Sequence, residues 1–178
     1  MDDLYGKIFV SLISGMAGCL LTLLVGGAVW FLRRCYEFHL LKNGLGSECL
    51  SLLAMIESVK QTYADVYRHN EWRADDSLLL RVKDLLMTKY DDGKFLAAVS
   101  LAVACLGELN RLLELYRNEC FESSRVLIME PPLYIREMHC AVLTSFDKAS
   151  SALLGLAEYA TPRLVAKCKS HTGLHGLL

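Results

Sequence analysis

Ile8–Leu32, IFVSLISGMAGCLLTLLVGGAVWFL, runs directly into Arg33–His39, RRCYEFH, and the fold turns on how these two segments are read. The first contains no Asp, Glu, Lys or Arg. As a helix rising 1.5 Å per residue it reaches roughly 37 Å, more than the ~30 Å hydrocarbon core of a bilayer, so it predicts a membrane-spanning helix with some tilt. Tyr5 and Phe9 at one end and Trp30 and Phe31 at the other put aromatic rings where the two interfaces should fall. A cleaved leader needs a basic start and a shorter apolar core, whereas this chain starts MDD, so the segment is expected to stay. Lys7 is accompanied by Asp2 and Asp3, while Arg33, Arg34 and Lys42 cluster just after the span. The positive-inside rule then puts the N-terminus outside and the rest of the chain in the cytosol, with one crossing.

The small residues of the span fall on one side of it. At about 100° per residue, Ser11, Ser14, Gly15, Gly18, Thr22 and Gly26 share a stripe about 120° wide. Ser14, Gly18, Thr22 and Gly26 also recur every fourth residue, the small-xxx-small spacing that lets helix backbones approach closely in lipid. The stripe predicts self-association, with a ring of helices whose small, hydroxyl-bearing face packs together or lines a pore. Arg33 falls on the same face if the helix continues, which gives such a ring a basic mouth.

RRCYEFH supports two readings. In one, the arginines are the charged stop that ends a span and His39 is an interfacial side chain. In the other, Arg34 and His39 form the Arg-x4-His pair used by ribonucleases built on HEPN helical bundles. There the imidazole exchanges protons with the attacking or leaving oxygen, and the guanidinium stabilises charge developing on the phosphate. Residues five apart on one continuous helix point about 140° apart. Both meet one phosphate only if the helix breaks or two subunits share the site.

The remainder of the chain reads as an all-α bundle. Of the 178 residues 53% are apolar, the mean hydropathy is +0.31 and the formal charge is -1, so no basic field draws the protein to DNA. Residues 43–178 carry 15 basic and 17 acidic side chains, net -2, which leaves the positive charge concentrated beside the span. The seven cysteines form no C-x-x-C pair and read as reduced thiols, with no metal site expected from them and no cofactor motif in the chain. Gly44 and Gly46 in KNGLGS predict a turn separating residues 1–42 from a domain at 43–178, with Ser47 capping a helix to about Tyr67. Further helices are predicted at about Ser77–Tyr90, capped by Asp75 or Asp76, at Lys94–Glu122 and at Leu133–Tyr159 after Pro131 and Pro132. Thr161 and Pro162 predict a short last helix. In the third of these, Phe95, Val99, Ala102, Leu106, Leu109, Leu113 and Tyr116 share the buried side, and Glu108, Asn110 and Arg111 argue against a second span. The histidines His69, His139, His171 and His175 read as surface or satisfied core residues. No strand alternation is visible, so the count is four or five helices in the bundle.

One N-terminal span, an all-α domain of about 135 residues and the Arg-x4-His of RCYEFH together resemble a known family. It is that of the small membrane-anchored HEPN-type accessory proteins of type VI-B CRISPR systems. The resemblance implies a HEPN-like bundle and a homo-oligomer with a pore-like centre in the bacterial inner membrane. It also implies a role in strengthening antiviral defence once a partner RNA-guided CRISPR ribonuclease has been activated. The family's motif positions correspond to Arg34 and His39. The alternatives are a metal-independent HEPN ribonuclease tethered to the membrane, or a non-conducting tether for a cytosolic partner.

Overall fold

A computed structural model describes residues 2–66, 71–90, 92–124 and 131–172, with side chains for 9, 11–66, 71–90, 92–123 and 131–167. Every regular element in the described residues is helical. The elements are α1 (Asp2–Thr62), α2 (Ser77–Lys89), α3 (Gly93–Ser124), α4 (Leu133–Ala160) and α5 (Pro162–Thr172). The chain forms two compact units, Met1–Leu40 and Leu41–Leu178. Tyr5, Lys7, His69, His171, His175 and the closing segment after Thr172 lie outside the described residues or side chains.

The first unit is helical backbone with its described side chains facing outward. Phe9 and all of residues 11–37 are exposed, including Leu24 at 72% and Leu23 at 73%. An apolar run without a polar face has no side to turn toward water, so its apolar surface stays open along the whole length.

The second unit buries one stripe of each helix. On α3 the buried apolar positions are Phe95, Val99, Ala102, Leu106, Leu109, Leu113, Tyr116 and Cys120, which includes all seven predicted there. On α4 they include Ile135, Val142, Phe146, Ala149, Leu153 and Leu156, at the three- and four-residue steps of a helix face. The end of α1 supplies Leu45, Cys49, Leu52, Leu53, Ile56 and then Tyr63. Tyr63 sits between Tyr116 and Phe146, with ring centroids 6.1 and 5.6 Å away. Two buried polar side chains are satisfied locally, as burial requires. The Asn110 amide accepts from the Ala74 N–H (2.8 Å) and donates to the Ala74 carbonyl (3.0 Å), tying the segment before α2 to α3. His139 Nε2 donates to the Tyr63 carbonyl at 2.6 Å, so this histidine is a satisfied core residue.

One local expectation is corrected. No turn forms at KNGLGS, because α1 continues through Gly44 and Gly46 and Ser47 is helix interior rather than a cap. Each glycine disfavours a helix by ~1 kcal/mol relative to alanine, but the buried stripe from Leu45 to Ile56 outweighs that. Gly46 is there for contact: a Cβ on it would lie 2.2 Å from Thr161 Oγ1. Thr161 stands directly before α5 as expected: its carbonyl accepts the Leu164 and Val165 N–H groups (3.1 Å each), while its hydroxyl donates to the Ala157 carbonyl of α4 (3.2 Å). Asp92 opens α3. Asp92 Oδ1 accepts the Phe95 N–H (3.0 Å), an N-terminal cap for α3.

Candidate functional site

The small-residue stripe lies in the first unit, and its groups are accessible. Ser11, Ser14, Gly15, Gly18, Thr22 and Gly26 are all exposed. Among the described residues, nothing comes within 4 Å of a Cβ placed on Gly15, Gly18 or Gly26. The Thr22 hydroxyl is used inside the helix, donating to the Gly18 carbonyl at 2.9 Å. That bond leaves the threonine methyl and the two glycine surfaces as the outer face at this level, suited to close backbone approach.

The base of this segment carries the charged residues. Arg33 Nε donates to Glu37 Oε1 (3.0 Å), an exposed pair one turn apart, so the proposed pore-mouth cation already has a counter-charge. Arg34 stacks over the Trp30 ring at 5.2 Å from its centroid. His39 is exposed. The helix runs unbroken from Arg34 to His39, which removes the single-chain solution for a shared phosphate; the two side chains leave the axis about 140° apart. A joint site for them would have to be completed by a second subunit.

The second unit holds a polar cluster that motif reading did not find. Lys42 Nζ is 2.9 Å from Asp92 Oδ2 and lies 4.9 and 4.8 Å from the centroids of Phe95 and Tyr159, whose rings stack at 5.6 Å. The Tyr159 hydroxyl donates to both Asp92 oxygens (3.0 and 3.2 Å). Burial alone would raise the Asp92 pKa. The hydrogen bonds from Lys42, the Phe95 N–H and Tyr159 outweigh it, so the carboxyl is held below its ordinary range. Tyr159 moves the other way, raised by burial and by donating to the carboxylate. One turn after Lys42, Gly46 meets Thr161, and Cys49 follows on the same face with its thiol pushed up to about 12 by burial and by Glu48. Further along α1, Glu57 accepts from Ser150 (2.9 Å) and Lys60 pairs with Asp147, two links to α4. Lys42 was visible in the sequence as a juxtamembrane charge; its aromatic and acidic partners come from 50 and more residues away.

No cluster of three or more His, Cys, Asp or Glu side chains with metal-binding geometry occurs among the described residues. Among the described residues, two helices are long and apolar enough to cross a membrane: α1, whose most apolar window has a hydropathy of 2.0 with none of it buried, and α3, at 1.6 with 33% buried. Compared with known proteins, the chain matches no family model, no curated protein and no solved structure.

Proposed function

We propose that the protein is a single-pass inner-membrane component that self-associates through the Ser11–Gly26 stripe and permeabilises the membrane in antiviral defence. In this reading residues 43–178 form a cytosolic HEPN-like bundle, and the functional partner is an RNA-guided ribonuclease of the type VI-B CRISPR kind. The observation that carries the membrane part is the charge-free stretch of α1 from Ser11 to Leu32, exposed throughout and containing four glycines with open space above them. An apolar surface of this length needs lipid or other helices around it. The defence role rests on the resemblance given by the span, the helical domain and RCYEFH. Arg34 and His39 act in this model as contacts between neighbouring subunits, and Arg33 lies at the cytosolic mouth.

The test is the mass of the full-length protein in detergent, by light scattering with the micelle subtracted, followed by membrane depolarisation in cells that also carry the activated nuclease. A discrete assembly that shrinks in Gly18→Leu, together with loss of depolarisation, is the expected outcome. A monomeric wild-type protein would leave only a tether.

A further inference from the structure

Charge is unevenly placed over the bundle. Between α3 and α4 runs an apolar groove of about 760 Å³, partly lined by Leu101 from the charge-free run Phe95–Gly107. The acids beside it, Asp147 and Glu108, are already paired with Lys60 and Arg111. The helix α5 is different. It reads PRLVAKCKSHT, with Arg163, Lys167 and Lys169 and no acid, and no Asp or Glu follows as far as Leu178. Setting these three cations aside leaves 12 basic and 17 acidic side chains in residues 43–178, net -5.

The cations and an apolar side chain of α5 share its outer surface. Arg163 and Lys167 are exposed one turn apart, and Leu164, 41% exposed, projects about 100° round the helix from Arg163. Val165, a further ~100° on, is buried and fastens α5 to the bundle. Among the described residues no acid pairs with Arg163.

Position identifies what this surface meets. Gly46 of α1 is in contact with Thr161, the residue before α5, and Lys42 lies 4.8 Å from the centroid of the Tyr159 ring. The helix α5 therefore starts at the end of the bundle where α1 enters it. From Leu32, where the charge-free run ends, α1 reaches Lys42 unbroken over about 15 Å of helix. Anionic headgroups attract cations held within about a Debye length, roughly 10 Å, of the bilayer surface. An acidic body with one cationic helix at its membrane end is oriented by such a surface, which draws α5 in and repels the remainder.

We propose that α5 is a docking surface for the anionic phospholipid headgroups of the cytosolic leaflet. Arg163 and Lys167 donate to phosphate oxygens, and Leu164 enters the boundary between headgroups and acyl chains. This rests on the reading of α1 as a single span with the bundle in the cytosol, and adds a charge-dependent contact that holds the bundle at the membrane. RNA phosphates would satisfy the cations but leave Leu164 without an apolar partner.

The test is amide hydrogen exchange of the full-length protein in nanodiscs of phosphatidylcholine, with and without phosphatidylglycerol. At low salt α5 should exchange about fivefold or more slowly when phosphatidylglycerol is present, and high salt should remove the difference. Arg163→Ser with Lys167→Ser should abolish the lipid dependence, whereas Arg163→Lys with Lys167→Arg should keep it, which separates charge from packing. Equal exchange of wild-type α5 in the two kinds of disc would overturn the docking surface and leave the span reading standing. A protein that fails to enter nanodiscs removes both. Protection of α5 by single-stranded RNA in phosphatidylcholine discs would assign it to nucleic acid and also overturn the proposal.

Discussion

Residues 11–37 and the bundle formed by residues 41–167 are built from the same side chains and treat them in opposite ways. Phe31, Leu24 and Val25 are 61, 72 and 55% exposed, while Phe95, Leu106 and Val99 are fully buried. Both segments are helical, so helix formation is not the difference. In the bundle, polar residues fall between apolar ones at helical spacing, so each helix has one side for its neighbours and one for water. In residues 11–32 no such division exists, and the apolar surface is left exposed. Gly15, Gly18 and Gly26 face open space, as do Gly44, Gly107 and Gly155 in the bundle, whereas Gly46 is pressed on Thr161.

The sharpest way to break this contrast is to truncate one large side chain in each region. Phe146→Ala should destabilise the bundle by about 3–5 kcal/mol, through lost burial and the cavity beside Tyr63. Leu24→Ala should leave the bundle's melting within about 0.5 kcal/mol of wild type, since it packs on nothing there. Chemical denaturation of both in mild detergent is the measurement, and equal losses would show that the distinction between the regions is wrong.

A pair of glycine replacements within α1 gives a smaller effect of opposite sign. Gly46→Ala should cost about 1–3 kcal/mol, because its methyl group collides with the Thr161 side chain. Gly44→Ala, two residues away with open space above it, should stabilise by up to about 1 kcal/mol by favouring the helix. If melting shows that both variants gain stability, Thr161 yields and the contact does not fix α1.

The smallest expected effect is on acid sensitivity. Asp92 is depressed in the folded state, so its contribution is present above the unfolded carboxyl value of about 3.9 and is lost as pH falls through the lower folded value. Asp92→Asn should lower stability at neutral pH and make the decline from pH ~5 to ~3 shallower than in wild type. Parallel acid curves for the two proteins would mean that the Lys42–Asp92–Tyr159 cluster contributes nothing to stability.

Much of the bundle was legible because periodicity reports burial directly. The seven-residue face of α3 and the start of α4 after Pro132 follow from spacing and from one residue type that cannot continue a helix. KNGLGS misled for a physical reason: glycine's local preference for turns was overridden by packing of Leu45 and Cys49, and by a Thr161 more than 110 residues away. The candidate site divides along the same line. The stripe of Ser11, Ser14, Gly15, Gly18, Thr22 and Gly26 is a property of one helix and needs no tertiary information. Arg34 and His39 matched a spacing, but only the unbroken helix shows that they diverge. The charge-free run from Phe95 to Gly107 was a readable sign of an apolar outer face, and it became a groove only once α4 was beside it.

The sequence alone therefore determined the helical class, an apolar helix long enough to span a bilayer, and the side that α3 buries, because all three depend on residue spacing within about two turns. Tertiary structure decided that α1 passes through its glycines and that Lys42 meets Asp92 and two stacked rings. It also decided that His139 serves the Tyr63 carbonyl, and that α3 and α4 leave a groove between them. These depend on residues distant in the chain, whose meeting no local pattern encodes.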